Sequence, residues 1–244
     1  MKNNQYKKCF GIIFAYLAFF LLPPGGFGQT DQKQDQKGFA RTSIPFVDEA
    51  AQNKDFLQFR TELLKAIDRK DVGFVLKHID PEIHISFGED CCIEGFIKSW
   101  ELKKNPENSK LWKTLGDTLK LGGKFSNPEK TVFTAPYLWD NFPKQFDEFE
   151  YSAITAKDVA VHSKPDAKSQ VVDKLSYEVV KQNYKENMPV EKINHEEYPW
   201  VEVVTYKGEK GYVFGKYIRS EVDFRAFFEL KNGKWMMTIF IAGD

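Results

Sequence analysis

The chain holds four histidines, His78, His84, His162 and His195. None stands in a His-x-x-x-His or His-Glu-x-x-His spacing, which would bring two imidazoles to one helix face and hold zinc. There is no Gly-x-Ser-x-Gly elbow and no Walker-type glycine loop. The common routes to a serine nucleophile and to a phosphate cradle are therefore missing. Cys91 or Cys92 with His84 is the one candidate thiol–imidazole pair. The two cysteines are adjacent, which suits a disulfide between them badly, because its own torsion prefers about 90°. They read as small buried hydrophobes or as an exposed thiol. Asp80, Glu82, Glu89, Asp90 and Glu94 supply carboxylates. One of them in an apolar pocket could serve as a base, whereas Glu89-Asp90 reads as a solvated acidic turn. The residues alone assign no catalytic residue, no metal site and no cofactor.

Aromatic side chains are the other resource. They make up 15 % of the chain, with 22 Phe. Tyr177, Tyr184, Trp200, Tyr206, Tyr212, Phe214 and Tyr217 fall close together in sequence. Rings on a surface grip extended peptides, and rings inside fill cores. Tyr177, Tyr184 and Tyr206 are expected at the surface and form the candidate ligand-binding set.

The elements that must position these residues follow from composition and period. Lys and Arg number 35, as do Asp and Glu. Residues 1–28 carry Lys2, Lys7 and Lys8 and no acid, so the remainder has 32 bases against 35 acids. Such a balance excludes the basic excess of a nucleic-acid-binding protein. Lys2, Lys7 and Lys8, an apolar run over 10–22, and Gly26 and Gly28 before Gln29 have the layout of a cleaved export signal. The run is too short for a stable membrane span, and Cys9 precedes it instead of following it. Residues 29–43 are polar and expected to be a flexible linker.

Phe56, Phe59, Leu63 and Ile67 recur at helical spacing. A short helix after Asp71 should stop at Asp80-Pro81. Ile83, Ile85 and Phe87 alternate as a strand. Helices are expected over 93–103 and from Ser109 to Gly122, then a strand over 131–134. Residues 139–152 form an aromatic and acidic crossing segment. Beyond 153 the pattern turns to short strands. Val222–Leu230 and Trp235–Ile241 alternate around Asn232-Gly233, the strongest short hairpin signal.

Three stretches carry a resemblance. They are Val159-Ala160-Val161-His162-Ser163-Lys164-Pro165, Trp200-Val201-Glu202-Val203-Val204, and Lys207-Gly208-Glu209-Lys210-Gly211-Tyr212-Val213. Together with 169–175, 178–181 and Tyr217-Ile218 they resemble, in order, a bacterial Src-homology-3-like domain of the extracellular type. The chain departs from that pattern at Ala160, at His162 and in an insertion over 187–198. The resemblance implies a small β-barrel over 153–220. Such a barrel has no room for the apolar last hairpin, which is marginal alone, so the barrel is expected to be inserted in an α+β domain made of 44–150 and 221–244. In that domain helices pack on a curved antiparallel sheet, and the last hairpin pairs with the earlier strands. On pattern alone this part resembles the cystatin-like or nuclear-transport-factor-like fold. The alternative is two consecutive domains, with the hairpin packed on the barrel. The signal-like segment, the near-neutral charge and the missing catalytic constellation, taken with the resemblance, lead to the expectation of an exported, periplasmic or extracellular, non-catalytic binding or scaffold protein of the cell envelope. Its partner would be a peptide, a peptidoglycan fragment or an envelope protein. The alternative is a hydrolase or isomerase with a pocket in the α+β domain.

Overall fold

The computed structural model describes residues 38–88 and 92–243. The segment read as an export signal lies outside them, as do Glu89, Asp90 and Cys91. Within them the protein is a mixed α+β structure with two sheets. No helix among the described residues is long and apolar enough to cross a membrane.

Helix α1 (Lys54–Asp68) starts where the Asn53 side chain accepts from the Phe56 N–H, which satisfies an orphan donor of the first turn. It buries Phe56, Phe59, Leu63, Ala66 and Ile67 along one face. Asp71 caps α2 (Val72–Lys77) in the same way, through the Phe74 N–H. Helix α3 (Cys92–Ser99) is shorter than the spacing predicts, and Glu101 turns the chain at a φ of 53°. Ser109 accepts from the Leu111 N–H and donates to the Trp100 carbonyl, fixing the start of α4 (Leu111–Lys120) to the turn before it.

The first sheet has the order β1-β13-β12-β3-β2, from Ile79–His84, Lys234–Ile241, Arg225–Lys231, Val132–Ala135 and Lys124–Phe125. The final hairpin sits at its centre. Asn232 and Gly233 both have positive φ, 50° and 74°, as a two-residue turn matching strand twist requires. One pair departs from the antiparallel expectation: β1 runs parallel to β13. From Ile79 to His84 the strand advances five residues while its partner advances two, from Met237 to Ile239. The surplus is a bulge that takes in Asp80-Pro81, so this dipeptide lies inside β1. Proline has no N–H to give a ladder, and an irregular edge strand tolerates that.

The second sheet comes wholly from residues between β3 and β12. Its strands are β4 (Tyr151–Ile154), β5 (Val159–His162), β6 (Val171–Leu175), β7 (Val179–Asn183), β8 (Val190–Ile193), β9 (Glu196–Val204), β10 (Lys210–Phe214) and β11 (Ile218–Arg219). The order is β11-β4-β7-β9-β10-β5-β6, with β8 attached to β9. That order does not return on itself, so the barrel expected over 153–220 is not closed. One end of the path, β11, is two residues long and pairs with β4, too short an edge to complete a ring.

Phe56, Phe96, Leu115, Phe133, Phe228 and Phe240 fill the core between the helices and the first sheet. Ile154, Val161, Leu175, Val203 and Val213 form the core of the second. Trp200, Val203 and Val213 are buried and Val201 is half-buried. A third cluster lies against the second sheet: Tyr137 and Leu138, with Phe142 and Phe146 of the crossing segment, pack with Ile44, Ala153 and Val179. Phe149, in the same segment, stays 65 % exposed.

Residues 38–43, the end of the stretch read as a linker, are held in place. Phe39 N donates to Tyr206 O at 3.1 Å, and Val179 N to Thr42 O at 2.9 Å. Ile44 N donates to Tyr177 O at 2.8 Å.

Candidate functional site

Glu202 lies in mid-β9, with Asn183 of β7 directly opposite on one side and Tyr212 of β10 on the other. Directly opposed residues share a sheet face. Two-residue periodicity brings Lys210 of β10 to the same face, and Lys185 reaches it from just past the end of β7. All four close on one carboxylate. Asn183 Nδ2 donates to Oε1 at 3.0 Å, and Tyr212 OH and Lys185 Nζ donate to Oε2 at 2.9 and 2.5 Å. Lys210 Nζ stands 3.4 Å from Oε1. Glu202 is only 3 % exposed. Burial by itself would push its carboxyl up. The bonds from Lys185, Asn183 and Tyr212 and the charge of Lys210 outweigh it and hold the group at about 2. A carboxylate so acidic stays ionised and exchanges no proton near neutrality, so it suits binding and not general acid–base work.

Beside this cluster lies a cleft of about 520 Å³, lined by residues 182–188 and 199–202. Trp200 forms its base, with Nε1 donating to Glu191 at 2.9 Å and its ring against His162 and Phe214. Met188 and Pro199 add apolar surface. Tyr184 projects at the mouth, 82 % exposed. Lys185 and Lys210 keep half or more of their side chains in solvent while sharing one buried carboxylate. The cleft offers an exposed ring, an apolar base and the Lys185 ammonium, which together can hold an extended chain with carbonyl or carboxylate groups.

The three sequence-predicted tyrosines do not form one surface. Tyr184 follows the end of β7, whereas Tyr177 precedes its start. The antiparallel pairing of Lys181 with Val204 carries Tyr206 toward the Tyr177 end. Tyr177 and Tyr206 are half-buried, not exposed, because residues 38–44 run across them. Sequence reasoning missed Glu202, Asn183 and Lys185 as a unit. The signal was the pairing of Asn183 with Glu202, which becomes visible only once the register is known, and Lys185 joins it from beyond the strand end.

A second cleft, of about 580 Å³, opens between α4 and the β8–β9 hairpin. Tyr198 OH and Lys113 Nζ both donate to Asp117 Oδ2, at 2.7 and 2.6 Å, and Lys113 sits 3.2 Å from the centre of the Tyr198 ring. Burial, then the bond to Asp117, pushes the Tyr198 phenol up.

The other candidates are scattered. His84 is exposed on β1, and Cys92 is half-buried at the start of α3. Asp80 is bonded by Lys231 Nζ at 2.7 Å, and that bond holds its carboxyl below the usual range. Among the described residues no group of three or more His, Cys, Asp or Glu could hold a metal ion. Between the helices and the first sheet, the rings of Phe133, Phe228 and Trp235 pack around Phe56. Comparison of the chain with protein-family models, with curated proteins and with solved structures finds no match in any of the three.

Proposed function

We propose that the chain is an exported binding protein of the cell envelope, without catalytic activity. In this reading residues 153–220 are a Src-homology-3-like module inserted between β3 and β12 of an α+β scaffold. The module takes a peptide, either in a peptidoglycan fragment or in an envelope protein, through the cleft at Tyr184. One observation carries this: the exposed Tyr184 ring and the half-exposed Lys185 side chain meet at a cleft whose buried Glu202 carboxylate is held by Lys185, Asn183 and Tyr212. Rings beside polar anchors are how sheet modules hold extended peptides. Support for the inserted arrangement comes from chain order, since every strand of the second sheet falls between two neighbours of the first.

The test is retention on intact peptidoglycan, and on a panel of envelope proteins, of the purified chain and of Tyr184→Ala. The ring is exposed, so the variant should fold with an unchanged melting temperature. Retention of the wild type that falls about tenfold or more in Tyr184→Ala supports the reading. Equal retention of both proteins would move the binding surface elsewhere.

A further inference from the structure

Residues 38–43 lie along the second sheet as a ligand would. None of their side chains is fully buried. The buried groups belong to the surface beneath. Glu178 is 2 % exposed, and its Oε1 accepts from Arg41 Nη2 at 2.7 Å and Nε at 3.2 Å. The Arg41 guanidinium also stands 5.4 Å from the centre of the Tyr206 ring. Phe39 enters a slot made by Phe146 and Tyr151, edge-on to both, at 5.8 and 5.3 Å. The backbone adds strand bonds at Tyr206 O and at Val179 N, and Ser43 bridges antiparallel to Glu178. At Gly38 the contact is so close that a Cβ would lie 2.4 Å from Tyr206 O. Two side-chain anchors, a few ladder bonds and a close-approach glycine are the parts of strand addition.

We infer that residues 38–43 are an exchangeable occupant of a strand-addition site, and that in trans this site takes an extended peptide with an arginine two residues after an aromatic residue. The slot between Phe146 and Tyr151 receives the aromatic ring. Glu178 and Tyr206 receive the guanidinium, whose planar donors suit a carboxylate and an aromatic face together. A lysine fits less well, because its point charge does not stack in the same way. The tethered segment competes at high effective concentration, so a partner binds only in proportion to the time it is lifted. This surface is separate from the cleft at Tyr184, and Tyr184→Ala leaves it intact, so the two readings stand or fall independently.

The probe is a fluorescein-labelled peptide of residues 38–43, with a second peptide in which arginine is replaced by alanine. Binding is read by anisotropy on the full chain and on its Phe39→Ala/Arg41→Ala variant. The double variant should bind the first peptide roughly tenfold tighter than the wild type does. It should lose the peptide when Glu178→Gln is added, and it should bind the alanine peptide about tenfold more weakly. No binding to a double variant that melts cooperatively, or equal binding of both peptides, overturns the inference. Should the double variant fail to fold, hydrogen exchange on the wild type decides. Exchange of the Phe39 and Val179 amides about tenfold or more faster than that of Val203 marks a segment that lifts on its own. Equal protection of all three overturns it.

Discussion

Two glutamates of this protein show how surroundings set one chemical group against itself. Glu202 is drawn down to about 2 by donors that outweigh its burial. Glu221, in the turn from β11 to β12, is half-buried, and that burial pushes its carboxyl up to about 6. The nearby Glu148 adds repulsion, while Arg225 and Lys144 oppose it. A carboxyl raised in the folded state binds its proton more tightly there than in the unfolded chain. Its contribution is full below the unfolded value near 4.5 and is lost as pH rises through about 6. Glu221→Gln stays neutral throughout. The variant should therefore match the wild type at pH 4 and exceed it at pH 8, by about 1 kcal/mol once solvent screening is counted. Urea denaturation at the two pH values checks this, and a gain at pH 4 as large as at pH 8 would contradict it.

At the scale of elements, the packing of loops against strands depends on glycines for two different reasons. A Cβ at Gly123 would lie 2.1 Å from Thr134 O and 2.6 Å from the Phe133 ring, so Gly123→Ala must push β2 off β3. It should cost about 2–3 kcal/mol. Gly233 has open space around it but a φ of +74°, and Gly233→Ala should cost about 1 kcal/mol through backbone strain. Urea midpoints of the two variants separate the mechanisms, and the reverse order would refute them. Local patterns made the regular elements legible. The spacing of Phe56, Phe59, Leu63 and Ile67 marked α1, and Asn232-Gly233 marked the hairpin with its pairing to both β1 and β3. What sequence hid was set by neighbours in space. Asp80-Pro81 enters a strand because a bulge absorbs it. Residues 38–43 look like a tether by composition, yet Phe39 and Arg41 fasten them. Tyr177 and Tyr206 lose their exposure to that same segment. The Glu202 cluster depends on strand register, which period alone does not fix.

For the whole molecule, strand order and chain order disagree in an instructive way. The centre of the first sheet, β12 and β13, comes last in the chain, whereas the second sheet is complete by Arg219. A chain ending at Ser220 should keep strand signal from the second sheet but lose the cooperative unfolding of α1 and α4. It should also bind a hydrophobic dye, because Phe56, Phe133 and Leu115 would lose the cover of β12 and β13. Circular dichroism melting at 222 nm and dye fluorescence test this, and an undiminished helical transition would disprove it. The same order sets a schedule for biosynthesis. A chain that appears from its first residue onward can settle 151–219 while α1 to α4 still wait for their sheet. Ile79 finds Met237 only after 151–219 have been made. Such a late closing step leaves many rings open to wrong encounters while the chain is being made. Where one hairpin falls in the chain thus decides how long the first sheet's apolar faces wait for cover.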